Sequence, residues 1–137
     1  MSLLLLGVGL LAGCAAVSAG AGGPQAAALS TPFTLAEGES AVVGGEKVGV
    51  TFEKLLSESR CPADVQCIQA GEATIRVQVQ PADGAKTALT LSTRQDGSTG
   101  TVGRLTVTLT GLRPVPRVKT PPKDERYRAT LVVDARE

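Results

Sequence analysis

The stretch that decides the fold is Glu72-Ala73-Thr74-Ile75-Arg76-Val77-Gln78-Val79-Gln80. Apolar and polar side chains alternate along it without interruption, and this period of two is typical of a β-strand with one buried face. Pro81 and Gly84 then favour a turn, because proline presets φ at the first central position and glycine tolerates positive φ. Since residues 86–94 alternate again, the sequence predicts a β-hairpin over residues 72–94.

Further strand patterns lie on both sides of this hairpin. Their predicted inward residues are Val48, Val50 and Phe52, then Leu105, Val107 and Leu109, and finally Tyr127, Ala129, Leu131 and Val133. No segment of ten or more residues outside the N-terminal region has a helical period. Six or seven short strands with frequent turn signals predict an all-β fold, a small antiparallel β-sandwich of immunoglobulin-like size.

The N-terminal residues have the composition of an export signal. Residues 3–12 form an apolar run that is shorter than the ~20 residues of a membrane-spanning helix. The run ends in Leu11-Ala12-Gly13-Cys14, which resembles the lipobox of bacterial lipoproteins. This resemblance implies cleavage before Cys14 and lipidation of its thiol, and Ala15 favours the outer membrane of a two-membrane bacterium. The alternative is a buried apolar helix in which Cys14 has no special role.

The chain is therefore expected to have three parts. Residues 1–13 are predicted to be a lipoprotein signal peptide, residues 14–30 a lipidated cysteine with a flexible tether, and residues 31–137 the β-sandwich domain. Residues 15–30 are rich in Ala and Gly and carry no charge, which favours a flexible tether. We expect an exported protein that contacts the lipid bilayer through Cys14.

Cys61 and Cys67 are the two cysteines of the predicted domain. An exported chain meets an oxidising compartment, so we expect them to form a disulfide that contributes about 2.4 kcal/mol. Two thiolates without any histidine leave a zinc site short of ligands, so no metal and no cofactor is predicted. The disulfide is interpreted either as a structural link between strands or as the closure of a rigid binding loop. The candidate contact residues of that loop are Arg60, Pro62, Ala63, Asp64, Val65 and Gln66.

The cysteine segment also resembles that of a group of small, uncharacterised bacterial exported proteins and lipoproteins. The shared pattern comprises Ser59-Arg60-Cys61-Pro62, Val65-Gln66-Cys67-Ile68, Ala70-Gly71-Glu72-Ala73 and the closing Tyr127-Arg128-Ala129. Many members of this group have Trp at the position of Gln69. The resemblance implies export and carries no enzymatic activity.

The overall charge is nearly balanced, with 14 basic and 13 acidic residues and a net charge of +1. No long-range field therefore attracts the protein to nucleic acid. Residues 113–128 are locally basic, and Pro114, Pro116, Pro121 and Pro122 predict an extended loop there. This loop is interpreted either as a solvated surface or as a contact for anionic glycan or lipid. The candidate contact residues are Arg113, Arg117, Lys119 and Lys123.

Catalysis is the function class with the least support. The chain has no histidine, the usual base for serine and cysteine nucleophiles, and no nucleophile-elbow or paired-carboxylate signature. The sequence therefore predicts a non-catalytic binding or structural domain of the cell envelope, with an envelope protein or an anionic glycan or lipid as its partner. The alternative is an inhibitor of a protease or hydrolase that presents residues 60–68.

Overall fold

The computed structural model describes residues 24–45, 47–119 and 126–136, which form two β-sheets around one core. The strands are β1 (Gln25–Ala27), β2 (Phe33–Ala36), β3 (Ser40–Val43), β4 (Val48–Glu58), β5 (Ala73–Gln80), β6 (Thr87–Ser92), β7 (Thr99–Val102), β8 (Leu105–Arg113) and β9 (Arg128–Ala135). A short 3₁₀ turn, Gln95–Gly97, precedes β7. The predicted small β-sandwich is confirmed, with nine strands in the described residues where the sequence indicated six or seven. None of these residues belongs to a helix that is long and apolar enough to cross a membrane.

The first sheet has the strand order β1-β3-β4-β5-β6, and the second has the order β2-β9-β8-β7. All neighbours are antiparallel except β1 and β3, which run parallel. The hairpin predicted from the sequence is β5 with β6, in which Ile75 pairs with Leu91. Its turn is closed by the backbone N–H of Gly84, which donates to the Pro81 carbonyl at 3.4 Å.

The core is filled by the apolar faces of the alternating strands. Val50, Phe52, Val77 and Leu131 are fully buried, and the predicted inward faces of β4, β5, β8 and β9 all contribute. Each buried side chain of this size stabilises the fold by roughly 1.5–3 kcal/mol. Tyr127 is only partly buried, because it lies just before β9 at one end of the sandwich.

Two irregularities in β4 change which side chains face the core. The pairing with β5 shifts between Phe52 and Lys54 and again between Leu55 and Ser57. Because a bulge adds an unpaired residue and redirects the side chains that follow, Leu55 still packs against the core, whereas Leu56 is exposed. The strand continues in this way to Glu58, where the cysteine segment begins.

The sheet begins at Gln25, before the predicted domain start at Thr31. β1 pairs with β3 over residues 25–27, and the backbone N–H of Ser30 donates to the Val133 carbonyl at 2.8 Å. The free edge of β3 offers backbone donors and acceptors, and these pair even with an alanine-rich segment of low β-propensity. Cys14 and the rest of residues 1–23 lie outside the described residues.

Candidate functional site

The cysteine segment, residues 59–72, leaves the sandwich through a narrow neck formed by Ser59 and Glu72. The backbone N–H and the hydroxyl of Ser59 each donate to the Glu72 carbonyl at 2.8 Å. Gly71 lies directly against this neck, since a Cβ atom there would be 1.6 Å from the Ser59 carbonyl oxygen. Glycine is therefore required at position 71, because the two backbones approach more closely than any side chain permits.

A disulfide between Cys61 and Cys67 closes a small ring beyond the neck, as the sequence predicted. The Cα atoms of the two cysteines are 5.9 Å apart. Across the tip of the ring, the backbone N–H of Val65 donates to the Pro62 carbonyl at 3.3 Å. The disulfide and this turn together restrict the conformations that residues 62–66 can adopt.

Arg60 connects the base of the ring to the end of β8 and to the proline that follows it. Its guanidinium donates to both carboxylate oxygens of Glu58, with a shortest distance of 2.7 Å. It also donates to the carbonyls of Leu112 at 2.7 Å and Pro114 at 2.9 Å. The Arg60 side chain is only 14% exposed, so this predicted contact residue faces the domain and bridges two loops.

Asp64 forms a second bridge between the same two loops. Its carboxylate accepts hydrogen bonds from the backbone N–H groups of Val118 at 2.9 Å and Lys119 at 2.7 Å. Beside it, the backbone N–H of Ala63 donates to the Pro116 carbonyl at 2.9 Å. These backbone hydrogen bonds, and the positive charge of Arg117, hold the pKa of Asp64 below its ordinary value.

The two surfaces that the sequence suggested separately are therefore one surface. We refer to residues 60–68 and 113–119 together as the composite surface. The residues that bond between its two loops are 52 to 55 positions apart in the chain, and the bonds between them are direct. Lys123, the remaining predicted basic contact, lies outside the described residues.

Glu58, the ion-pair partner of Arg60, lies near Tyr127, which packs against the core. Burial alone would raise the pKa of Glu58, but the hydrogen bonds and the charge of Arg60 outweigh burial and hold this pKa below its ordinary value. Burial raises the pKa of Tyr127, and the adjacent negative charge of Glu58 raises it further. The ionised Glu58 and the neutral Tyr127 therefore stabilise each other beneath the loops.

The outer side of the composite surface presents apolar side chains to solvent. Six large hydrophobic residues of the described chain are exposed, and four of them lie here: Val65, Ile68, Val115 and Val118. Ile68 is 104% exposed, as fully solvated as in an extended peptide, and Val118 is 60% exposed. The other two, Val42 and Leu56, lie on strands of the first sheet. Exposed apolar residues are thus concentrated on the two connected loops.

Basic side chains accompany these apolar residues. Arg113, Arg117 and Lys119 are all exposed, and within the part of the chain that the structure describes none of them forms a salt bridge. Asp64 is the one acidic residue of the composite surface. Because both of its carboxylate oxygens accept backbone hydrogen bonds, its charge is partly compensated, and the surface remains positive.

A cleft lies at the opposite end of the sandwich from the composite surface. It is a cleft of about 710 Å³ between the β5–β6 turn, the β7–β8 turn and the end of β9. Apolar residues such as Val48, Val102 and Leu105 line it together with Arg104 and Arg136. Sequence patterns did not indicate this cleft, because its lining comes from the ends of several strands and from two separate turns.

Among residues 24–45, 47–119 and 126–136, no three His, Cys, Asp or Glu side chains are grouped closely enough to hold a metal ion. The fold and the site define a β-sandwich domain in which a disulfide-closed loop is bound to a proline-containing segment. Comparison with protein-family models, with curated protein sequences and with solved structures gives no match to this chain.

Proposed function

We propose that this protein is a non-catalytic binding domain of the bacterial cell envelope and that the composite surface is its binding surface. The observation that carries the proposal is the concentration of exposed apolar side chains on two loops that are bonded to each other. Exposed apolar residues that concentrate on one part of a domain surface are characteristic of interaction sites. Because the disulfide, Arg60 and Asp64 already order the loops, binding has little further conformational entropy to overcome.

The proposal includes anchoring to the membrane through a lipidated Cys14. Its support is the sequence, in which an apolar run ends in Leu11-Ala12-Gly13-Cys14. The acyl chains of a lipidated cysteine are sufficient for stable anchoring. Since β1 begins at Gln25, at most about 40 Å of extended chain separates the anchor from the domain. A domain held in this way acts close to the bilayer.

The binding role is tested by affinity capture from an envelope extract with the full chain solubilised in mild detergent. The variant Ile68→Ser/Val118→Ser removes the two most exposed apolar side chains of the composite surface. The matched control is Val42→Ser/Leu56→Ser, which changes the two exposed apolar residues elsewhere. We expect a bound partner, either an envelope protein or co-purifying lipid, that the unchanged chain and the control retain and that the first variant loses. Equal capture by both variants would contradict the assignment of this surface.

The non-catalytic role has its own test. The full chain is assayed with general esterase, peptidase and glycosidase substrates, next to its Cys61→Ser/Cys67→Ser variant. We expect no turnover by either protein, because the chain has no histidine to act as a general base. Turnover by the unchanged chain that the variant lacks would contradict this part of the proposal.

An inhibitor of a protease or hydrolase is the second candidate function, and the rigid ring favours it. A rigid loop loses little conformational entropy when it inserts into a cleft. Val65, Gln66 and Ile68 are exposed and could enter one. Arg60 and Asp64 would not enter a cleft, because both are bonded to the proline-containing segment. Inhibition of the enzyme should therefore be sensitive to Val65→Gly and insensitive to Val42→Ser, which lies on β3 away from the ring. The reverse pattern in inhibition assays would exclude this mode.

A further inference from the structure

We propose that the partner of the composite surface is the surface of an anionic phospholipid bilayer. Ile68 and Val118 insert among the headgroups, and Arg113, Arg117 and Lys119 lie against the lipid phosphates. The inference rests on the proposed function for the location of the binding surface and names the partner that this surface fits.

Ile68 is the most exposed apolar side chain of the composite surface. Its side chain is 104% exposed, although isoleucine is among the residues most often buried. The adjacent Cys67 is fixed by the disulfide, so the ring holds Ile68 at the end of the domain. Val118, on the other loop of the composite surface, is 60% exposed, so each of the two connected loops presents an aliphatic side chain that can enter the membrane interface.

The basic side chains of the composite surface are complementary to the negative charge of lipid phosphates. Arg113, Arg117 and Lys119 are exposed, and the only acid of the composite surface, Asp64, is occupied by backbone N–H groups. A negative lipid surface attracts each nearby basic side chain enough to strengthen binding about fivefold. A protein partner would need acidic groups placed opposite each base, whereas an anionic bilayer supplies phosphate at every position.

The hydrogen bonds between the two loops hold the apolar and the basic side chains in one rigid arrangement. Arg60 and Asp64 hold residues 113–119 against the cysteine ring, so the basic and apolar side chains are presented at one end of the sandwich. Electrostatic attraction to a membrane falls off within about 8–10 Å at physiological salt. A rigid arrangement therefore matters, because insertion of Ile68 brings the basic residues within that distance of the phosphates.

The chain contains no tryptophan, so one introduced indole reports on a single position. We would reconstitute the full-length Ile68→Trp variant with vesicles of phosphatidylcholine, alone or mixed with phosphatidylglycerol, that carry a bromine-labelled lipid as quencher. The matched control is Val42→Trp, which is exposed on β3, away from the composite surface. We expect a blue-shifted and quenched emission for Ile68→Trp with anionic vesicles and unchanged emission for Val42→Trp.

The charge requirement is tested in the same variant. Arg117→Gln/Lys119→Gln, added to Ile68→Trp, should shift the equilibrium between the docked and the undocked domain, which quenching reports, about 25-fold towards the undocked state, and high salt should have a similar effect. Absence of quenching at Ile68→Trp would overturn the inference, and so would equal quenching in neutral vesicles. If quenching is absent while Ile68→Ser/Val118→Ser still abolishes capture of an envelope protein, the inference fails and the proposed function stands.

Discussion

The carboxylate of Asp64 accepts a 2.7 Å hydrogen bond from the backbone N–H of Lys119, a residue 55 positions later in the chain. Charge-assisted hydrogen bonds of this kind are shorter and stronger than those between neutral groups. The neighbouring N–H of Val118 is held by the other oxygen of the same carboxylate. The Asp64 side chain thus supplies two of the hydrogen bonds that hold the cysteine ring against the proline-containing segment.

Replacing Asp64 should separate the two loops without unfolding the domain. In Asp64→Ala the backbone N–H groups of Val118 and Lys119 lose their acceptor, so we expect their amide hydrogens to exchange faster with solvent. The amide hydrogens of the two sheets should exchange at unchanged rates. Asp83→Ala is the matched control, because Asp83 lies in the turn at the opposite end. Unchanged exchange at Val118 and Lys119 would show that this contact is not formed in solution.

The same contact should depend on pH in a defined direction. The folded-state pKa of Asp64 is lowered from its ordinary value of 3.8, so its stabilising effect is complete above that value. The effect is lost as the pH falls through the lower, folded-state pKa, because the protonated carboxyl is a poorer acceptor. The amide chemical shifts of Val118 and Lys119 should titrate together in this range. Titration of these amides above pH 3.8 would contradict the geometry.

The pair of Glu58 and Arg60 should contribute to global stability. Their side chains are 18% and 14% exposed, and Arg60 also satisfies two backbone carbonyls. Arg60→Met should therefore cost about 2–4 kcal/mol in urea unfolding, because it leaves a half-buried carboxylate and two carbonyls without their donor. The double variant Glu58→Gln/Arg60→Met should lose less unfolding free energy than the two single variants lose together. Additive losses would mean that the two residues act independently.

Tyr127 is the one tyrosine of the chain, so tyrosinate absorbance reports on it alone. Burial and the charge of Glu58 raise its pKa above 10.0, and we expect the folded protein to ionise later than the urea-unfolded chain. The stability from this group is complete below pH 10.0 and is lost as the pH rises through the folded-state pKa. Glu58→Gln should shift the titration of the folded protein towards that of the unfolded chain. No shift would mean that Glu58 does not act on Tyr127.

Gly71 should tolerate no side chain. In Gly71→Ala the new Cβ would meet the Ser59 carbonyl oxygen at 1.6 Å, so the neck must open. We expect a loss of about 2 kcal/mol or more in thermal or urea unfolding. Gly45→Ala is the control, because no atom lies within 4 Å of a Cβ at that position, and its effect should stay within about 0.5 kcal/mol. Similar stability of the two variants would contradict the close approach at the neck.

The strands and the disulfide could be predicted because their signals are local. The alternation of Ile75, Val77 and Val79 is enough to identify β5 and its buried face, and the spacing of Cys61 and Cys67 suits a closed ring. β1 was missed because Ala26 and Ala27 have little strand propensity and pair only where β3 offers a free edge.

The composite surface could not be predicted, because the contacts that create it join residues far apart in sequence. Nothing local to Arg60 indicates that its guanidinium meets the carbonyls of Leu112 and Pro114, and an aspartate in a loop usually indicates only turn chemistry. The sequence did single out Arg60, residues 62–66 and the basic residues of the second loop as candidate contacts, but it gave no sign that Ile68, Val115 and Val118 are exposed. The two loops meet because the strand order places the ends of β4 and β8 at one end of the sandwich.

The parallel pairing of β1 with β3 has a consequence for self-association. Without residues 25–27, the backbone groups of β3 would form an open sheet edge, beside a Val42 side chain that is 40% exposed. Such edges template the addition of further strands from other copies, which leads to aggregates. Residues 25–27 thus cover the edge of β3, and proteolysis between β1 and β2 would expose it.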